Sequence, residues 1–303
     1  MKSTFYSNGK LLLTGEYVVL DGATALAVPT KYGQSLEVEI VEREGIHWKS
    51  FDEKGDIWFE DIFDLKNLEG KNYSNPISDT LSQILREAKK LNPKFLSNTT
   101  GIQVETKLDF PRNWGLGTSS TLINNIAQWA KIDGFSLLAN SFGGSGYDVA
   151  AAQRDFPIFY KLNKGKSEIT KADLDWNFID SIFFVHLNRK QDSRAGIARY
   201  NEKTVDKNTV LRISEISEAL QKSKSLLEFE NLIDEHELLI SKTLGLPPIK
   251  EQLFNDYPHS IKSLGAWGGD FVMVTGNFED MEYFKRKGYH TIIPFVEMTK
   301  LNR

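Results

Sequence analysis

Pro111-Arg112-Asn113-Trp114-Gly115-Leu116-Gly117-Thr118-Ser119-Ser120-Thr121 decides how this chain is read. Strand-like sequence over residues 102–107 leads into it, and helix-like sequence over residues 122–131 leaves it. Gly115 and Gly117 lack the Cβ that blocks left-handed backbone, so the chain can curl closely around a ligand there. Four consecutive hydroxyl residues then stand where the helix begins, and Ser or Thr is favoured at such a start. Open N–H groups and the positive end of a helix dipole make the place an anion site, most often for phosphate. Read alone, the segment fits an ordinary glycine loop with a Ser cap equally well.

At 303 residues the chain can bury a large core, as one big domain or two modest ones. Its net charge of −4 argues against a nucleic-acid footprint, which would need a concentrated basic face, and no nucleic-acid partner is expected. No apolar run reaches the length of a membrane span, and no membrane partner is expected either. The opening Met1-Lys2-Ser3-Thr4-Phe5 runs into strand-like sequence with no apolar signal core, and a cytoplasmic protein is expected. Cysteine is absent, which removes disulfides, thiolate metal sites and cysteine nucleophiles. His47, His186, His236, His259 and His290 are scattered without metal-ligand spacing. Asp234-Glu235-His236-Glu237 lies on an amphipathic helix and is expected to be a solvated face.

Strands are expected at residues 3–7, 16–20, 23–28, 35–41, 46–50 and 57–60. A helix follows over residues 76–91, with Ile77, Leu81, Ile84, Leu85 and Ala88 at helical spacing and Pro76 in its first turn. After the glycine loop come short helices near residues 136–140 and 149–153, then strands at 157–162 and 179–187. Three helices follow, at 193–202, 209–221 and 226–244. The last is framed by a Ser225/Glu228 capping box, Gly245 and Pro247. Strands at 260–264 and 271–275, a helix at 279–287 and a strand at 290–294 close the chain in a ferredoxin-like α+β pattern. The polar stretch 163–175 is the boundary candidate, giving domains 1–170 and 171–303.

Two further glycine-rich segments flank the first. One is Ser7-Asn8-Gly9-Lys10-Leu11-Leu12-Leu13-Thr14-Gly15-Glu16-Tyr17-Val18-Val19-Leu20-Asp21-Gly22; the other is Lys262-Ser263-Leu264-Gly265-Ala266-Trp267-Gly268-Gly269-Asp270. In this order the three resemble the motifs of the GHMP kinase superfamily, across nearly the whole chain. Gly15-Glu16-Tyr17, Gly144-Ser145-Gly146-Tyr147-Asp148-Val149 and the ending Gly268-Gly269-Asp270 are most similar to the phosphomevalonate kinase and mevalonate kinase branch.

The resemblance implies an α+β GHMP kinase fold, an N-terminal mixed βα nucleotide-binding domain followed by a C-terminal ferredoxin-like sandwich. It also implies ATP and Mg²⁺ as cofactors, a small-molecule substrate, and a monomer or homodimer. Gly115, Leu116, Gly117, Thr118, Ser119 and Ser120 would bind the ATP phosphates, with the Ser119 hydroxyl on the metal. Asp148 matches the carboxylate that acts as base toward the acceptor or orients it. Lys10 matches the lysine that pairs with it, and a nearby cation favours the ionised carboxylate a base needs. Read without the family, Asp148 is equally a helix cap and Lys10 a surface cation. Glu16, Ser145, Gly146, Ser193, Gly265, Gly268, Gly269 and Asp270 would build the acceptor site, with Glu16 alternatively holding Lys10. Arg189, Lys190 and Arg194 could meet an anionic acceptor, or form a charged surface turn.

The match has departures. Thr118, Ser120 and Thr121 replace the usual Ser and Ala residues, and Trp267 stands where a glycine is usual, putting a ring where backbone normally approaches ligand. The metal-binding glutamate of mevalonate kinases has no counterpart near Leu137. Phosphorylation of phosphomevalonate ranks first and of mevalonate second. A diphosphomevalonate decarboxylase-like enzyme and a catalytically inactive nucleotide- or metabolite-binding relative are the alternatives.

Overall fold

The computed structural model describes the whole chain except Met1, Tyr73, Ser74, Asn98, Lys190, Gln191, Asp192, Thr204, Gly268, Asn302 and Arg303. The chain opens with β1 (Lys2–Thr14), β2 (Ala25–Ile40), β3 (Gly45–Phe51), β4 (Ile57–Phe63) and α1 (Pro76–Leu91). Then follow β5 (Gly101–Leu108), α2 (Thr118–Ala130), α3 (Gly134–Ser141), α4 (Tyr147–Ala152), β6 (Ile158–Asn163), β7 (Lys166–Lys171) and β8 (Ile182–His186). The remainder is α5 (Ser193–Asn201), α6 (Lys207–Lys222), α7 (Leu226–Leu244), α8 (Ile249–Leu253), β9 (Ile261–Ser263), β10 (Phe271–Thr275), α9 (Glu282–Arg286), β11 (Ile292–Pro294) and α10 (Phe295–Met298).

Two compact units interleave along the chain, where the sequence suggested one division near residue 170. The first takes residues 1–9, 32–112 and 117–153, and the second takes 10–31, 113–116 and 154–303. In the first unit the strand order is β4-β3-β5-β2. β3 is antiparallel to β4 and parallel to β5, while β5 runs antiparallel to the second half of β2. Burial alternates along β3, so Ile46, Trp48 and Ser50 face inward, as a half-covered sheet requires. α1 is capped by the Asn75 side chain on the Ile77 amide, with Pro76 where its missing N–H costs nothing. Its buried Leu81, Ile84, Leu85 and Ala88 join Ile123, Ile126 and Ala127 of α2 and Val149 of α4 against Trp48 and Val104.

In the second unit β6 pairs with the leading half of β2 and with β7, a strand that falls inside the polar stretch taken for a boundary. Its polar sequence gave no apolar alternation to read, since the strand is almost wholly exposed. A separate four-stranded antiparallel sheet has the order β11-β8-β10-β9. β8 and β10 are buried throughout and lack alternation because both faces are covered. Residues 16–20, expected as strand, instead form a turn into a short 3₁₀ helix, Val18–Asp21. Gly15 and Tyr17 there have φ of 88° and 64°, values no strand tolerates. A mixed sheet and a smaller antiparallel sheet are thus both present, in keeping with the expected α+β class.

Candidate functional site

The glycine loop ends on Gly117, whose φ of 90° caps α2 without a side-chain bond. The first amides of a helix have no intrahelical acceptor, so Thr118, Ser119 and Ser120 present their N–H groups at the start of α2. Their hydroxyls divide the work. Ser120 Oγ donates to the Gly117 carbonyl at 2.8 Å, and Thr121 Oγ1 donates to Gln34 Oε1 at 2.7 Å. Both are buried, whereas Ser119 is exposed. Of the two serines expected to meet phosphate, Ser120 therefore serves the protein and Ser119 faces outward.

α2 is seated by a buried polar network, unusual in a helix interior. Ser7 Oγ donates to Asn125 Oδ1 at 2.7 Å, Asn124 donates to Ser7 Oγ at 2.8 Å, and Asn125 donates to the Gln34 carbonyl at 2.9 Å. Gln153, at the end of α4, donates to Asn124 Oδ1 at 3.0 Å. Asp148 sits in the first turn of α4, behind Gly146 at φ 87°. Its Oδ1 accepts the Val149 amide at 3.0 Å, and the residue is half-buried, as is Ser145.

Lys10, Gly115, Leu116, Glu16, Gly265 and Asp270 belong to the second unit. Lys10 is buried, its Nζ donating to the Gly115 carbonyl at 3.3 Å and its backbone amide to the Leu116 carbonyl at 2.9 Å. A Cβ on Gly115 would stand 2.3 Å from Asp270 Oδ2, and the φ of 66° bars one as well. The Asp270 backbone is held from both sides, donating to the Arg189 carbonyl at 2.9 Å and accepting from Leu187 at 2.7 Å. First, second and third motifs thus touch through Lys10, Gly115 and Asp270. Gly268 lies outside the described residues, Gly269 is buried, and Gly265 has φ 61°.

Glu16 does not hold Lys10. It is 1% exposed, and its Oε1 accepts Lys262 Nζ at 2.6 Å. Lys262 Nζ also lies 3.9 Å from Glu237 Oε2. Glu237 Oε1 in turn accepts the Ser263 amide at 3.1 Å and the Ser263 hydroxyl. His236 Nε2 accepts the Gly15 amide at 2.9 Å, so the ring proton is on Nδ1. Burial and the Lys262 ammonium hold this imidazole well below its ordinary range, and it is neutral. Its 3.5 Å approach to Glu16 Oε2 is accordingly not an ion pair.

The expectation of a solvated face at Asp234–Glu237 holds for the exposed Asp234 and is corrected for His236 and Glu237, which are 0% and 3% exposed. Sequence reasoning missed both, yet a signal existed. His236 falls on the buried stripe Phe229, Ile233, Ile240 and Leu244, between two isoleucines at helical spacing.

Trp267 also departs from expectation. Its ring is buried with Tyr17, Val18, Tyr200, Ile213, Ile240 and Leu244 rather than standing in a ligand's path, while its φ of 55° keeps the backbone a glycine would adopt. Tyr17 stacks on Tyr200 of α5 at 5.6 Å, and the Tyr200 hydroxyl donates to Asp21. Ser193 opens α5, whose Gly196 lies against Tyr17 of the first motif, while Lys190 lies outside the described residues.

Compared by sequence, the chain matches no family model and no curated protein. Compared by structure, it is similar over almost its full length to small-molecule kinases of the GHMP type. Mevalonate kinase of Methanococcus jannaschii superposes with a TM-score of 0.71 at 15% identity, covering 97% of each chain. Streptococcus pneumoniae phosphomevalonate kinase, in complex with phosphomevalonate and AMPPNP, gives 0.71 at 14% identity over 96% of this chain and 99% of that one. Lactococcus lactis galactokinase, complexed with galactose, gives 0.67 at 13% over 99% and 93%. The shared property is the fold.

Proposed function

We propose, from this shared fold, that the protein transfers the γ-phosphoryl group of ATP to a small anionic acceptor, phosphomevalonate first and mevalonate second. The observation that carries the reading is the start of α2, where left-handed Gly115 and Gly117 lead into open amides and the exposed Ser119. Main-chain donors fixed in advance cost no reorganisation when charge shifts onto the phosphates. Lys10 supplies the cation for that charge. Asp148 orients the acceptor oxygen and takes its proton where it has one, as this oxygen bonds to phosphorus and ADP leaves.

Among the described residues no His, Asp and Glu group could hold a metal by itself. The neutral hydroxyl of Ser119 fits a Mg²⁺ that arrives on the nucleotide, since that ion keeps phosphate and water ligands. Bound there, it would offset phosphate charge. Burial of the Trp267 ring bears on one of the two grounds for reading the chain as an inactive relative, the other being the missing glutamate.

ADP release with phosphomevalonate, mevalonate, homoserine and sugars as acceptors tests the proposal. ATP turnover with none of them, by protein that binds AMPPNP, overturns it. CO₂ released with ADP from diphosphomevalonate would mark a decarboxylase instead.

A further inference from the structure

We infer that His236 and Glu237 of α7 are positioning residues for this site, holding the Gly15 turn of the first motif and Ser263 at the head of the third. The inference rests on the phosphoryl-transfer reading for its kinetic consequence, though not for its geometry.

Packing does not call for these residue types. The neighbouring stripe of α7 is Phe229, Ile233, Ile240 and Leu244, and a leucine would fill either place. Burying an imidazole and a carboxylate is costly unless each finds partners. Each finds a motif amide: Gly15 N–H on His236 Nε2 at 2.9 Å, and Ser263 N–H on Glu237 Oε1 at 3.1 Å. The Ser263 hydroxyl and Lys262 Nζ add to the second contact, and Lys262 ties it to Glu16.

From each anchor a short path leads to the residues named for chemistry. β1 carries Lys10 and ends one residue before Gly15, so fixing the turn fixes the end of that strand. Gly15 packs so closely on Ala25 that a Cβ there would stand 2.7 Å from Ala25 Cβ. Ser263 ends β9 and leads through Gly265 to Asp270, which packs on Gly115. Gly115 then accepts Lys10 Nζ at 3.3 Å and closes the circuit. Displacing either anchor moves Lys10 relative to Gly115, and a 1 Å misplacement at a reacting centre can cost on the order of a hundredfold in rate.

The test uses the full chain, with His236→Leu and Glu237→Leu, which keep bulk and lose the acceptor. Their acceptor-keeping counterparts are His236→Gln and Glu237→Gln, and Leu238→Ala, half-exposed on the same helix, is the control. Both leucine variants should lower kcat about tenfold or more with KM for ATP within about twofold. The glutamine variants should recover most of that loss, and Leu238→Ala should change nothing. Amide exchange at Gly15 and Ser263, and the Lys10 and Gly115 amide resonances, report the anchoring without any turnover. Folded leucine variants with wild-type kcat and unmoved resonances overturn the inference. If wild type turns over no acceptor, the kinase reading falls and the resonances alone decide the anchoring. Should the leucine variants not fold, His236→Met and Glu237→Met, which also lose the acceptor, carry the same comparison, and unchanged exchange at both amides overturns the inference.

Discussion

Lys262 Nζ lies 2.6 Å from Glu16 Oε1, both side chains wholly buried, although 246 positions separate them in the sequence. Two charges taken out of water are compensated only while each keeps its partner. Lys262→Met leaves the buried Glu16 without its cation, and should cost about 3–5 kcal/mol in chemical denaturation. Adding Glu16→Gln should return much of that loss. A double variant as weak as the single would assign the cost to packing rather than charge.

Burial pushes the Glu237 carboxyl up to about 7 from its ordinary 4.5, with Glu16 reinforcing the shift and Lys262 and Ser263 opposing it. The neighbouring His236 stays neutral and adds no charge. Between pH 4.5 and about 7 the unfolded chain ionises this group while the folded chain keeps it protonated. Its stabilisation is therefore full below pH 4.5 and is lost as pH rises through about 7, to the extent of about 3 kcal/mol. Glu237→Gln keeps the acceptor for Ser263 and cannot ionise. Melting temperatures of the two proteins should diverge between pH 5 and 8, wild type falling relative to the variant; parallel curves would sink the assignment.

Gly196 of α5 lies so close to Tyr17 that a Cβ would stand 2.2 Å from its hydroxyl oxygen. Gly196→Ala should cost about 1–3 kcal/mol by crowding. Tyr17→Phe removes the atom in conflict, and the double variant should regain most of the loss in a thermal melt.

Gly115→Ala meets two obstacles at once, a φ of 66° and Asp270 Oδ2 at 2.3 Å. Left-handed backbone costs a non-glycine residue about 1–2 kcal/mol before any crowding. The variant should raise the AMPPNP dissociation constant at least about tenfold, which calorimetry reads directly. Wild-type affinity would place the nucleotide away from this loop.

Asp148→Asn separates the acceptors. A hydroxyl acceptor must lose a proton, and removing its base should cost about 10²–10⁴ in kcat. A phosphate monoester is largely dianionic at neutral pH, with its second pKa near 6, and has little proton to give. The penalty with phosphomevalonate should therefore be the smaller one, measured side by side with mevalonate. Full activity with both substrates would remove Asp148 from the chemistry.

The parts of this molecule that obey local rules were readable in advance. α1 and α7 carry their caps and periodicity in the sequence, and the glycines at 115 and 117 announce left-handed backbone. What escaped depends on partners far along the chain. Residues 16–20 look like a strand by composition, but the left-handed Tyr17 is held by Tyr200 and Gly196 of a distant helix. Glu237 is adjacent in sequence to charged residues that do face water, and only Ser263 and Lys262 make its burial tolerable. Trp267 reads as an obstruction until the apolar side chains of the 3₁₀ turn, α5, α6 and α7 are known to receive it.

The separation of Glu16 from Lys262 also sets a clock. Chains are synthesised at about 5–20 residues per second, so Glu16 is added roughly ten to fifty seconds before its ammonium partner. The unit that buries them needs residues 10–31 and everything from 154 onward. Over most of that interval His236 and Lys262, which hold the Gly15 turn and Glu16 in the folded chain, have yet to be made.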